Sequence, residues 1–176
     1  MTFQRCFALD GGGGAVVLFD DSTTTLTSSL VKDCWADGGS GGGVYGNLNQ
    51  YFEAVNGTVF DSCIADGFGG GAIHIFGGAM RVSDVEVVDS FTTGGGGALD
   101  AYTDVTLDAD DVRITDCYAT QGGGGVRVRS SDSARLDHTT IDRCSGGAVY
   151  IVVGGNFVVT ETTSITNSVS GTNGGA

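Results

Sequence analysis

The acidic composition of this 176-residue chain excludes some kinds of partner before any motif is considered. A formal net charge of −13 argues against nucleic acids and anionic membranes, because an acidic surface repels a polyanion. No apolar run approaches the ~20 residues needed to cross a bilayer, so we expect no membrane insertion. Residues 1–10 lack a signal-peptide pattern, and we expect any export signal to lie outside this chain.

One sequence block recurs along the chain about every 27 residues. Its first half is a β-branched or aromatic residue, two mostly polar residues and then Cys or Ser, at positions 3–6, 31–34, 60–63, 87–90, 114–117, 141–144 and 165–168. Its second half is a glycine run closing on Gly-Gly-Ala or Gly-Gly-Val, at positions 13–15, 42–44, 70–72, 96–98, 124–126, 146–148 and 174–176. A repeat of this length indicates a solenoid.

The residue types inside the repeat predict strands and turns. Short stretches rich in Val, Ile, Thr, Phe and Tyr are bounded by Gly, Asp, Asn and Ser, and proline is absent. We therefore predict an all-β protein, a parallel β-helix with three strands and three turns in each rung. Residues 1–176 are predicted to form one domain of about seven partial rungs, stacked about 4.8 Å apart.

Two copies of the block carry a resemblance to a known family. They are Phe60-Asp61-Ser62-Cys63-Ile64-Ala65 with Gly70-Gly71-Ala72-Ile73, and Ile114-Thr115-Asp116-Cys117-Tyr118-Ala119 with Gly124-Gly125-Val126. This pattern resembles the repeat of the polymorphic outer-membrane proteins, although Cys or Ser stands where that family favours Asn. The resemblance implies a single-stranded, right-handed β-helix displayed at a cell surface for adhesion or as a stalk.

A ladder of small residues occupies the fourth position of the block. It comprises Cys6, Cys34, Cys63, Ser90, Cys117, Cys144 and Ser168. We expect a column of buried thiols beside the alanines Ala8, Ala36, Ala65 and Ala119, because thiols pack as small apolar groups. Disulfides Cys6–Cys34 or Cys117–Cys144 are an alternative. Metal binding is disfavoured because no Cys-x-x-Cys pair or Cys/His cluster occurs.

The residue between each ladder position and its alanine faces outward if strands alternate with a period of two. That column contains Phe7, Trp35, Ile64, Phe91 and Tyr118, followed by Ser145 and Val169. We interpret it as an exposed stripe that contacts a lateral partner or a glycan. The alternative is that these aromatic residues form the core and that the Cys column lies in a turn.

The strand after each glycine run gives a further expectation. In Val126-Arg127-Val128-Arg129 the arginines are expected to face water, which turns the valines inward. The same phase turns Val16, Tyr45, Ile73, Leu99 and Val149 outward, so either another molecule covers this face or the phase differs between rungs. The phase also places His74 beside Asp100 on neighbouring rungs, as a candidate ion pair.

Catalysis, metal sites and cofactors are not expected. The strongest catalytic alternative is a carbohydrate-active site at Asp108, Asp110 and Asp111 with His138 one rung later. Aspartates in turns are candidates for weak Ca²⁺ binding only. Asn56, in Asn56-Gly57-Thr58, is a candidate glycosylation site.

The functional expectation is an extracellular or cell-surface structural protein, as a segment or subunit of a filament. We expect it to associate head to tail or to contact other fibre proteins laterally, because uncapped rungs and exposed strand edges pair with other β-structure. A surface adhesin that binds glycans is the alternative, and a carbohydrate-active enzyme is the third possibility.

Overall fold

The computed structural model describes residues 1–130, 133–152 and 156–170, and these residues fold as a parallel β-helix. The strands in chain order are β1 Thr2–Gln4, β2 Phe7–Leu9, β3 Val16–Phe19, β4 Thr23–Thr27, β5 Leu30–Lys32, β6 Trp35–Asp37, β7 Val44–Asp61, β8 Ile64–Asp66, β9 Ile73–Val88, β10 Phe91–Thr92, β11 Leu99–Thr115, β12 Tyr118–Ala119, β13 Val126–Arg129, β14 Ser133–Asp137, β15 Thr140–Asp142, β16 Val149–Val152, β17 Asn156–Val159 and β18 Ser164–Thr166.

All strand pairs are parallel, and equivalent positions of the repeat stack in register. Phe60 pairs with Val31 on one side and Val87 on the other, and the same column continues through Ile114 and Ile141. The predicted repeat phase is therefore confirmed for the first half of the block. The last glycine block, 174–176, lies outside the described residues.

Each full coil contains four strand segments, where the sequence suggested three. Three segments belong to a 13-stranded sheet, and the long strands β7, β9 and β11 run through all three. The fourth segment is short and belongs to a separate sheet with the order β12-β10-β8-β6-β2, which we call the narrow sheet. The sequence did not predict this segment because its strands are only two or three residues long.

A sharp corner precedes the narrow sheet in every coil. The residue before each Cys or Ser of the ladder has a left-handed backbone, with φ between 48° and 56°; these residues are Arg5, Asp33, Ser62, Asp89, Asp116, Arg143 and Asn167. Asp and Asn tolerate this conformation better than most side chains. The corner therefore explains why polar residues precede the Cys positions.

The core is a set of stacked apolar columns inside the coil. The column of Val31, Phe60, Val87, Ile114 and Ile141 has no exposed surface. Full burial of each such side chain contributes roughly 1.5–3 kcal/mol, so the stack itself supplies the main stabilisation.

Candidate functional site

The exposed stripe predicted from the sequence lies on the narrow sheet. Phe7 pairs with Trp35, Trp35 with Ile64, Ile64 with Phe91, and Phe91 with Tyr118. Phe7, Trp35, Ile64 and Tyr118 are 53%, 40%, 37% and 41% exposed, and Phe91 is half-buried. The column continues through Ser145 and Val169.

The stripe's aromatic rings stand side by side. Phe91 and Tyr118 stack with ring centroids 5.3 Å apart and planes 2° from parallel, whereas Phe7 meets Trp35 edge-on at 5.1 Å. Ala36 and Ala65, which directly follow Trp35 and Ile64, point inward and are buried. The outward orientation is as expected, and the alternative that placed these aromatic residues in the core is wrong.

Carboxylates border the middle of the stripe. Asp37 and Asp66 end strands β6 and β8 on the same outward side, while Asp33 and Asp89 occupy the neighbouring corners. Across the described part of the chain, none of these four side chains has a hydrogen-bond or ion-pair partner. Farther along, Asp116 is held by Arg143 at 2.7 Å. Lys32 attracts Asp33 and Asp89 at longer range, so the centre of the stripe is flanked by four carboxylates that are at most partly compensated.

The Cys ladder has a local structural role. Cys34 and Cys117 donate to the carbonyls of Lys32 and Thr115, both at 3.3 Å, and Ser90 donates to Val88 at the same distance. The same bond to the residue two positions earlier recurs at the ladder positions Cys63, Cys144 and Ser168. At six of the seven ladder positions, all except Cys6, the side chain thus spans the left-handed corner, which explains why Ser replaces Cys.

The thiols are free, and the disulfide alternative is not what the structure contains. Cys34, Cys63, Cys117 and Cys144 are buried, and Cys6 is half-buried. Burial raises the pKa of Cys34 to about 11, and it also raises the pKa of Cys63. Such thiols carry little thiolate at neutral pH and are poor nucleophiles or metal ligands.

The expected outward orientation of the strand after each glycine run is wrong at four of the five residues. Val126 pairs with Leu99, and Leu99 with Ile73; all three are buried inside the coil. Val16 and Val149 belong to the same inward column, so of the five residues expected to face outward only Tyr45 does. The inward and outward positions of this strand are therefore the same in every described rung.

Arg127 faces outward from this strand but is only 4% exposed, contrary to the expectation that it meets water. The cover is the chain's own glycine-rich loops. A Cβ on Gly69 would lie 2.1 Å from Asp100 Oδ2, and one on Gly95 would lie 2.5 Å from Arg127 Cδ. Glycine at these positions therefore lets the backbone close over charged side chains.

Beneath these loops, His74, Asp100 and Arg127 form a buried cluster on three adjacent rungs. His74 Nδ1 lies 2.6 Å from Asp100 Oδ2, so these two side chains are in contact, as the repeat phase predicted. Arg127 donates from Nε to Asp100 Oδ1 and from Nη2 to Oδ2, both at 2.7 Å. Arg127 Nη2 also donates to the carbonyl of Phe68 at 2.8 Å, which ties the covering loop to the cluster.

A cleft of about 200 Å³ opens beside this cluster. It is lined by Ser40, Tyr45, Phe68, His74, Phe76 and Tyr102. Sequence reasoning missed it because the lining residues come from three strands and two glycine-rich loops. The His74–Asp100 register was the signal that pointed to it.

The catalytic alternative is only partly assembled. His138 Nδ1 lies 3.1 Å from Asp110 Oδ1, whereas Asp108 pairs with Arg135 at 3.4 Å. Asp111 occupies an exposed left-handed corner with φ 52°.

Asp110, His138 and Asp137 could together face one cation, but Asp137 is already occupied. Its Oδ1 accepts from Thr162 at 2.9 Å and from the His138 backbone at 3.1 Å, and Arg135 bonds its other oxygen. These bonds fit a surface network better than a metal site. Weak Ca²⁺ binding in the turns stays a prediction.

Asn56 is exposed at a left-handed corner, with φ 55°. In the described ranges, no helix is long and apolar enough to cross a membrane.

Comparison with known proteins gives one match. Residues 51–174 match the family model described as "Right handed beta helix region", which agrees with the predicted fold and handedness. No curated protein and no solved structure matches the chain.

Proposed function

Because the chain belongs to the right-handed β-helix family, we propose that it is an extracellular structural and adhesive element whose aromatic stripe binds a linear polysaccharide. The observation that supports this proposal is the exposed column of Phe7, Trp35, Ile64, Phe91 and Tyr118 along the narrow sheet. Surface display is also what the resemblance to the polymorphic outer-membrane proteins implies.

The chemistry of the stripe suits a sugar polymer. Aromatic side chains provide large apolar area with little conformational entropy to lose, and apolar faces of sugar rings can pack on them. The stripe repeats once per rung, about every 4.8 Å, so it offers successive contacts to an extended chain. Many weak contacts in series raise the overall affinity of a polymer.

The flanking charges select among polysaccharides. Asp33, Asp37, Asp66 and Asp89 can accept hydrogen bonds from hydroxyl groups and attract amino groups, but they repel carboxylates. We therefore expect neutral glucans and partly deacetylated chitin to bind, and polygalacturonate not to bind.

The single tryptophan of the chain, Trp35, lies in the stripe and reports on binding directly. Titration with soluble cello- and chito-oligosaccharides is expected to change its fluorescence. Tyr118→Ala is expected to weaken binding at least tenfold, whereas Tyr51→Ala, a tyrosine of similar exposure on the other sheet, leaves it unchanged.

If no oligosaccharide perturbs Trp35, or if both tyrosine variants bind equally, the stripe is not a glycan surface. Binding without turnover is part of the proposal. A reducing-end assay on the same mixtures is therefore expected to detect no new chain ends, and their appearance would establish a carbohydrate-active enzyme instead.

A further inference from the structure

We propose that the cleft beside His74 is a second binding site, which takes a single neutral sugar ring. The cleft opens on the 13-stranded sheet and the stripe lies on the narrow sheet, so the two sites share no residue. The inference therefore stands independently of the function proposed for the stripe.

The hydrogen bonds of the buried cluster determine which ring nitrogen of His74 remains free to bind a ligand. Both oxygens of Asp100 accept from Arg127, so this carboxylate is an ionised acceptor. His74 Nδ1 must then be the donor in its 2.6 Å contact with Asp100. Because Arg127 already compensates the charge of Asp100, a neutral imidazole is sufficient for this contact, and its Nε2 keeps the lone pair and acts as an acceptor.

His74 Nε2 is left for a ligand. Within the described ranges no protein group bonds to this nitrogen. The fully buried side-chain atoms that lack a partner are Ser22 Oγ and Gln50 Oε1, so His74 Nε2 is not fully buried. His74 itself is 96% buried and lines the cleft, with only 4% of its surface exposed. An oriented acceptor on a nearly buried side chain fits a ligand that brings a hydroxyl donor.

The walls of the cleft suit a ring. Tyr45 stacks on His74 with centroids 5.6 Å apart and planes 7° from parallel, and Phe76 stacks on Tyr102 at 5.6 Å. Phe68 stands at the rim, 79% exposed, while Arg127 holds its backbone. A volume of about 200 Å³ is smaller than the sites of drug-sized ligands, which run from about 300 Å³ upward, so one ring is the appropriate size.

The charges around the cleft argue for a neutral ligand. Arg127 compensates the charge of Asp100, and the lone pair on His74 Nε2 repels a carboxylate or phosphate. The guanidinium carbons of Arg127 and Arg129 lie 5.6 and 5.0 Å from the Tyr102 ring centroid, which disfavours a cationic ligand on that wall. A hydroxylated, uncharged ring avoids both kinds of repulsion, and its hydroxyl group can donate to His74 Nε2.

The test uses the two histidines of the chain as NMR probes, since each gives a separate ring signal. The probes are the methyl glycosides of glucose, galactose, mannose and N-acetylglucosamine, with glucuronate and glucosamine as charged comparisons. We expect at least one neutral glycoside to shift the His74 signal and to leave the His138 signal unchanged. We expect the charged sugars to bind more weakly.

Two variants separate a binding role from a structural one. His74→Phe keeps a ring against Tyr45 but removes the acceptor, and we expect at least tenfold weaker binding in calorimetry. Phe68→Ala removes an exposed rim side chain without touching the core, and we also expect it to weaken binding. The matched control His138→Phe changes an exposed histidine outside the cleft and leaves binding unchanged.

The proposal is overturned if no neutral glycoside shifts the His74 signal, if folded His74→Phe binds as tightly as the parent protein, or if glucuronate binds best. Tyr118→Ala, which alters only the stripe, is expected to retain full binding in the cleft. Failure of the stripe and failure of the cleft are therefore distinguishable.

Discussion

Removing the Arg127 guanidinium is expected to destabilise the protein far more than removing an equivalent surface guanidinium. Arg127→Met keeps most of the aliphatic side chain but leaves Asp100, which has no exposed surface, with His74 as its remaining side-chain partner and without the guanidinium charge. Removing one partner of a buried ion pair costs about 3–5 kcal/mol. For a domain of this size each kcal/mol lowers Tm by roughly 2–4 °C, so we expect a fall of about 6–20 °C.

The chain supplies a matched control in Arg143. Its guanidinium binds Asp116 through Nε and Nη2, both at 2.7 Å, with the same two-pronged geometry that Arg127 uses on Asp100. The Arg143 side chain is, however, 54% exposed, so water replaces the lost contacts. Arg143→Met is therefore expected to cost only a small fraction of the Arg127→Met effect.

Urea unfolding followed by circular dichroism gives both free energies of unfolding, provided that the m-values agree. The double variant Asp100→Leu/Arg127→Met is expected to recover much of the loss, because an apolar pair can replace a buried ion pair at little cost. Equal midpoints for Arg127→Met and Arg143→Met would refute the argument that desolvation makes the Asp100–Arg127 pair indispensable.

Three further outcomes are expected. The Cys63 thiol, whose pKa burial raises, should react with Ellman's reagent only after the protein is unfolded; rapid reaction of the native protein would contradict the assigned burial. Gly42→Ala places a Cβ 2.4 Å from two carbonyl oxygens and should lower Tm by several degrees, whereas Gly11→Ala, whose nearest contact would be 3.7 Å, should not. The hydroxyl of Thr160 lowers the pKa of Asp137, so the stability that this carboxylate adds is present above about pH 4 and is lost as pH falls through the lower folded value; Asp137→Asn should flatten that acid loss in unfolding measured from pH 5 to pH 2.

The parts of the structure that follow from neighbouring residues could be predicted from the sequence. The period of the block gave the stacking of Phe60 on Val31 and Val87, because each rung repeats the same local conformation. The alternation of Cys34, Trp35 and Ala36 gave the exposed stripe, because strand side chains point to opposite faces in turn.

The repeat alone did not reveal the short fourth strand or the function of the Cys position as a corner hydrogen-bond donor. Both depend on the left-handed residue before each Cys, such as Asp116 before Cys117. A polar residue before every ladder position was the available signal. Its backbone conformation became clear only in three dimensions.

The sequence by itself determined a parallel β-helix, the register of the first half of its repeat, and the contact between His74 and Asp100, since all three follow from a regular repeat. Only the tertiary structure decided that Arg127 is buried and that a cleft forms beside His74. Arg127 reaches the Phe68 carbonyl across 59 residues of chain. The two residues meet because the turns of the coil stack. The glycines above them leave room for the backbone to cover the Arg127 guanidinium, which the sequence alone predicts to face water.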